Sequence, residues 1–368
     1  MAKKQRELSP FEIKLNNLVD KYISRISFVD RMLFIHHLEI MIKAGLSIIA
    51  GLEILSKQTE NKKLKIIIGE IKVDLEKGNQ LSEALQKYPK LFPDVYVSMI
   101  GAGETSGKLK EALGQVSNQM KKSHELTSKI RGALIYPAVI TVAMFGVAIE
   151  VVFFVLPKLM IMFKEFDADL PLATKILMGV VNFGQNYGLF LLVGIVLFII
   201  LLFWLLKQPN VKRVVHKINL KIPIFGKVIK KINLARFSLT LSSLLNSSIP
   251  IIDAVNITSK VVSNITYREI LASSTNGLRK GSKLSEILSE NSNVFPPLTT
   301  EMILVGEQTG QIEEMLAELA VYYGDEVDET MKNFSTIIEP VIILALGLAV
   351  GGIAVAVIQP MYTLAQSF

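Results

Sequence analysis

Three stretches of the chain are apolar almost without interruption. Residues 133–156 carry one acid, Glu150, and residues 189–206 and 341–358 carry no charge. About 20 apolar residues cross the hydrocarbon core of a bilayer. The pattern therefore predicts three transmembrane helices, placed at 133–156, 189–206 and 336–358. Elsewhere apolar positions recur at three- and four-residue spacing, as in Leu33, Leu38, Met41 and Ile42, and again in Leu239, Leu241, Leu244 and Leu245. That period belongs to amphipathic helices. No run reads as a strand.

The polar parts repeat. At an offset of 203 residues Phe34 pairs with Phe237 and Leu38 with Leu241. The block Gly78-x-x-Leu81-Ser82-Glu83-x-Leu85 pairs with Gly281-x-x-Leu284-Ser285-Glu286-x-Leu288, and Phe92-Pro93 pairs with Phe295-Pro296. Gly103-Glu104-x-x-Gly107 pairs with Gly306-Glu307-x-x-Gly310, Glu111 with Glu314, Pro137 with Pro340 and Pro157 with Pro360. A fixed offset over this length marks an internal duplication. The unit includes a polar domain and the span after it, so spans one and three run the same way and span two is the return crossing. The expected fold is an all-α integral membrane protein with two repeated six-helix cytoplasmic bundles and three transmembrane helices. Its segments are an N-terminal stretch 1–26, bundle one 27–132, span one 133–156, an external connection 157–188, span two 189–206, a basic linker 207–230, bundle two 231–335, span three 336–358 and a tail 359–368.

Local signals place the helix ends. Ser47, Asn61 and Asn264 fit N-caps and Pro250 fits a first helical position. Gly78 and Gly281 fit the left-handed position after a helix. Gly103–Gly107 reads as a turn, and from Lys108 one helix runs through Arg131 into span one. Pro137 and Pro340 are expected to kink the helices where they reach the membrane.

Charge supplies orientation. Residues 1–132 hold 22 Lys and Arg against 15 Asp and Glu, and Lys207–Arg236 holds nine basic residues and no acid. Basic residues beside a span mark the cytoplasmic side. The N-terminus, both bundles and the linker are thus expected inside, with 157–188 and the C-terminal tail outside. The first 20 residues lack an apolar core, so no cleavable signal peptide is expected. The formal charge of +7 fits an anionic leaflet better than nucleic acid. Zero cysteines exclude disulfides, thiolate metal sites and cysteine nucleophiles.

Candidate chemistry is sparse. Gly101-Ala-Gly-Glu-Thr-Ser-Gly107-Lys108 invites a phosphate-loop reading, but Ala102 breaks the spacing, Leu109 replaces the Ser/Thr and helices flank it. His36 and His37 lack a metal-binding spacing, and Asp167 and Asp169 are too few for a calcium loop. No catalytic residue, metal site or cofactor is assigned, and the protein is not read as an enzyme. Glu104 and Glu307 stand out because both copies keep them. One reading is a cap that complements the dipole of the long helix. The other is a contact point for a cytoplasmic partner or between the two bundles, with Glu111 and Glu314 beside them as further partner-binding candidates. Glu150 lies within span one, and Gly347 and Gly351 put small residues on one face of span three, a helix-packing surface.

Taken together these blocks resemble the type II secretion F family, the polytopic inner-membrane platform of type IV pili and type II secretion systems. The resemblance covers roughly 27–364. It implies a bacterial inner-membrane protein acting with a hexameric cytoplasmic ATPase, with pilins or pseudopilins and with other inner-membrane assembly proteins. It also implies a homodimer or higher oligomer. Competing classes are a transporter, disfavoured by three spans and one intramembrane acid, and a membrane signalling scaffold, for which no motif speaks.

Overall fold

The computed structural model describes residues 25–155, 157, 172–223 and 225–366. Among them every regular element is helical. The first repeat contains α1 (Phe28–Lys43), α2 (Ile48–Gln58), α3 (Lys62–Glu76), α4 (Leu81–Gln86), α5 (Asp94–Thr105) and α6 (Leu109–Glu150). A π-helical turn at Val151–Val155 follows. Then come α7 (Leu172–Lys207) and α8 (Pro209–Asn219). The second repeat contains α9 (Phe225–Asn246), α10 (Ile251–Val261), α11 (Ile265–Arg279), α12 (Leu284–Ser289), α13 (Pro297–Thr309) and α14 (Ile312–Gln366). Helices α2, α3 and α4 begin 203 residues before α10, α11 and α12, and end 203 residues before them too.

The capping residues explain why the helices start where they do. Ser27 Oγ accepts the Asp30 N–H at 3.0 Å and the Asp30 carboxylate accepts the Ser27 N–H at 2.9 Å, a reciprocal pair that satisfies two otherwise orphaned donors. Ser47 Oγ accepts the Ala50 N–H at the head of α2. Asn61 and Asn264 do the same for α3 and α11, with bonds of 3.2 Å and 2.8 Å to the N–H groups two residues on. Pro250 is the residue before α10 rather than its first residue. Gly78 and Gly281 follow α3 and α11 at φ +90° and +89°, where a side chain is strained. Gly45 holds the same conformation after α1 at +91°. Its second-repeat counterpart is Ser248, at φ +60°.

The residues kept in both copies form the two cores. Phe34, Leu38, Leu81, Leu85, Phe92, Ile100 and Leu113 are buried, and so is the counterpart of each. Phe34 and Phe92 lie 5.9 Å apart, and Phe237 and Phe295 lie 5.4 Å apart with edge-to-face geometry. Tyr267 adds a second edge contact to Phe295 at 5.2 Å, and its hydroxyl donates to the Val294 carbonyl.

The chain divides into two compact units. One holds the described residues up to Thr127 with Ile229–Gly324, and so contains the polar parts of both repeats. The other holds the described residues of Ser128–Val228 and Asp325–Phe368. In the second unit Asp328 bonds Lys332 at 2.9 Å and lies 3.9 Å from Lys129, joining α6 to α14. Among the described residues two helices are long and apolar enough to cross a membrane, over Leu109–Val147 and Ile312–Gly352, and Val196–Lys207 is a shorter apolar stretch.

Two segments differ from the sequence expectation. The region read as an external connection is helical from Leu172 onward, because apolar residues at Leu172, Ile176, Leu177, Val180 and Val181 extend the helical pattern of span two towards the N-terminus. The region read as a linker contains α8 and the start of α9. In α8, Val211, Val214, Val215 and Ile218 occupy one stripe beside Lys212 and Lys217, which is an amphipathic helix rather than a linker.

The cores carry a quantitative expectation. Phe295→Ala removes a fully buried ring touched by two others, at a cost of about 3–5 kcal/mol. Denaturant unfolding of the detergent-solubilised protein measures it. A loss below about 1 kcal/mol would mean that Phe237 and Tyr267 close the space.

Candidate functional site

The two Gly-Glu-x-x-Gly blocks are helix corners. Gly103 and Glu104 lie in the last turn of α5, not in a turn as expected from sequence, and the chain reverses at Ser106–Lys108 around Gly107, at φ +69°. Gly310 is the left-handed residue after α13, at +72°. The helix continues through Gly103 because this residue has no side chain to obstruct α6. A Cβ at 103 would lie 2.2 Å from the Ala112 Cβ, and one at 306 would lie 2.7 Å from the Ile312 Cα.

The glutamates point to a third helix. Glu104 Oε1 accepts the Leu81 N–H at 2.5 Å, and Oε2 accepts the Ser82 N–H at 3.0 Å and the Ser82 hydroxyl at 2.5 Å. Glu307 Oε1 accepts the Leu284 N–H at 2.6 Å, and Oε2 accepts the Ser285 N–H at 3.3 Å and the Ser285 hydroxyl. Each carboxylate therefore satisfies orphan donors at the start of α4 or α12, where the helix dipole also favours negative charge. The sequence reading had such a cap act on the long helix. The geometry puts it on the short one, because the long helix starts beyond the corner glycine while the carboxylate reaches 22 and 23 residues back. Both oxygens of each glutamate are engaged within the chain. Glu111 and Glu314 are exposed in the first turns of α6 and α14.

The remaining sequence candidates scatter. Pro137 and Pro340 lie inside α6 and α14, which continue through them. Thr141 Oγ1 donates to the Pro137 carbonyl at 2.7 Å. Glu150 is exposed at the end of α6, immediately before the π turn. A Cβ at Gly347 or Gly351 would meet no other atom within 4 Å, so no packing partner for that face lies among the described residues. Asp167 and Asp169 lie outside the described residues. No group of three potential metal ligands occurs among the described residues.

Comparison with known proteins bears on the same two corners. The profile of type II secretion system protein F matches residues 34–157 and, a second time, 237–360. The chain belongs to the type II secretion system protein F family. Each matched segment begins at a core phenylalanine and ends at a proline, Pro157 after the π turn that follows α6 and Pro360 within α14, so the family unit contains the corner and the helix that leaves it. A type IV pilus assembly protein PilC of Thermus thermophilus is 34% identical over 333 residues, which is 90% of this chain and 82% of the relative. PilC of Myxococcus xanthus is 31% identical over 363 residues, 97% of this chain and 87% of the relative. The type II secretion system protein F of Vibrio cholerae is 30% identical over 336 residues, 91% and 82%.

The chain also holds a polar cluster that the repeat does not reveal. Glu39 is buried in α1, where Lys43, His36 and Ser117 surround it. His36 Nδ1 lies 3.3 Å from Glu39 Oε2 and 3.1 Å from Ser117 Oγ. Burial raises the Glu39 pKa, but the bonds from Lys43, Ser117 and His36 outweigh it and hold the carboxyl below its ordinary range. In the second repeat the counterpart is Ser242.

Two expectations follow from these groups. Glu307→Gln replaces a carboxylate oxygen by an amide N–H that faces another donor, and should cost about 1–3 kcal/mol. Glu314→Gln, at an exposed position, should stay within about 0.5 kcal/mol. Thermal unfolding of the two variants decides it, and equal losses would remove the cap. The depressed Glu39 pKa stabilises the fold at pH values above the ordinary glutamate value of about 4.3, and this contribution disappears as pH falls through the folded value. Glu39→Gln should therefore flatten the acid limb of the stability–pH curve. An unchanged acid limb would refute that role.

Proposed function

We propose that the chain is the inner-membrane platform of a type IV pilus or type II secretion machine, and that it couples a cytoplasmic hexameric ATPase to polymerisation of pilins or pseudopilins. The reading is carried by one observation. Each polar half with a protein F match passes without a break in the helix into an apolar segment, in α6 and again in α14. The relatives' names, pilus assembly PilC and secretion protein F, support the same role.

In this reading the platform is not an enzyme and the ATPase supplies the energy. Both polar repeats lie in the cytoplasm, 189–206 is the return span, and the C-terminus is external. Glu111 and Glu314, exposed beside the corners, are docking candidates for the motor. Glu104 and Glu307 position them by fixing the corner. Other inner-membrane assembly proteins would surround the apolar helices.

Deleting the gene should abolish a surface fibre or the export of a secreted protein, and the tagged chain should recover an ATPase from detergent extracts. A reporter active only outside the membrane should work after Ala168 and Phe368 and fail after Asn118 and Asn276. Intact fibres and secretion in the deletion strain would overturn the role. Reporter activity at Asn276 would overturn the topology.

A further inference from the structure

The two repeats meet inside the first unit, and they meet one-sidedly. Ser243 Oγ donates to Gln119 Oε1 at 2.7 Å, and Ser247 Oγ donates to Gln115 Oε1 at 2.5 Å. Gln115 Nε2 donates to the Asn246 carbonyl at 3.1 Å, and Lys260 pairs with Asp94 at 2.8 Å. Helices α9 and α10 of the second repeat therefore lie against α6 and α5 of the first. A local twofold would close the reciprocal contact as well, with α1 and α2 against α14 and α13. Those surfaces are open instead. Ile40 is 49% exposed and Tyr322 46%. Leu298 is 41% exposed, whereas its counterpart Val95, beside Asp94, is 4% exposed.

The open positions change character together. At the 203-residue offset the Gln119–Ser243 pair becomes Tyr322 and Ile40, an aromatic and an aliphatic residue. The Gln115–Asn246 pair becomes Glu318 and Lys43, opposite charges. In these two pairs both partners differ and the new pair is again complementary, whereas Gln115–Ser247 becomes Glu318–Ala44 and Asp94–Lys260 becomes Pro297–Lys57. Two matched pairs one helical turn apart, Glu318 and Tyr322 on α14 and Ile40 and Lys43 on α1, fit a face that meets a partner. Large apolar groups on a solvated face also carry an association hazard unless something covers them.

We propose that a second copy of this chain docks here, with the α14 face of one copy, carrying Glu318 and Tyr322, on the α1 face of the next, carrying Ile40 and Lys43. Lys43 also pairs with Glu39 within its own copy. The contact continues between copies the relation that joins the repeats within one copy. It is a head-to-tail contact, in which each copy keeps one open face of either kind. Charge favours it at longer range. Residues 27–132 hold 16 Lys and Arg against 12 Asp and Glu, and residues 231–335 hold 8 against 13. This deepens the assembly part of the platform reading. If the spans hold all copies in one membrane, the relating axis is normal to it and the assembly closes as a ring.

The test uses the absence of native cysteine. An Ile40→Cys chain and a differently tagged Tyr322→Cys chain are co-expressed and oxidised in native membranes. A disulfide-linked band carrying both tags is expected, with little same-tag product from either variant alone. Glu318→Lys in the Tyr322→Cys chain should cut the mixed band several-fold. A Gln119→Cys, Ser243→Cys variant, closing within one chain, shows that the fold is intact and the oxidant reaches it. Absence of the mixed band while this control closes overturns the proposal, as do same-tag dimers in equal yield. Failure of the platform reading shows differently, as intact fibres and secretion after deletion, whatever the cross-links.

Discussion

A carboxylate that binds the start of one helix from the end of another sets the geometry of each repeat. Helix α4 has six residues, too few to be stable alone. Glu104 holds its first turn, and Gly103 in the same helical turn lets α6 approach to van der Waals contact. Three helices are thus tied within two consecutive residues. The left-handed glycine at 107 then reverses the chain, so α6 has a defined starting point. The same tie recurs at Gly306 and Glu307. Loosening either one would unfix the origin of an apolar helix.

Duplication explains which residues recur. Most retained positions are core aromatics, leucines, caps and corner residues, which act within one repeat, while Glu111 and Glu314 are retained and exposed. Surfaces that meet something else diverge, because each repeat meets a different neighbour. Glu39 and its ring of Lys43, His36 and Ser117 exist once, and so does the Gln115–Ser247 join.

Much of the fold was legible in the sequence. Helix starts followed from Ser47, Asn61 and Asn264, whose side chains bond the backbone two or three residues on. The buried repeat residues followed from their recurrence. The target of Glu104 did not, because the partner donors lie on a helix start more than twenty residues away. A signal existed, since the Leu-Ser-Glu-x-Leu and Gly-Glu-x-x-Gly blocks keep the same separation in both halves. Helix α8 was masked by the basic run 207–236 around it, in which Lys212, Arg213 and Lys217 interrupt the stripe of Val211, Val214, Val215 and Ile218. The Glu39 cluster needed Ser117, which only tertiary packing brings near.

Ser248 carries a different consequence. Gly45 turns the chain after α1 at little backbone cost, whereas Ser248 makes the equivalent turn in a left-handed conformation that costs a residue with a side chain about 1–2 kcal/mol. The strained turn adjoins Ser247, at the join between the repeats. Thermal opening of the unit that holds both polar repeats should start there, between α9 and α10, before the glycine turn of the first repeat yields. The second repeat is then the compliant partner, and the first the rigid base against which it breathes.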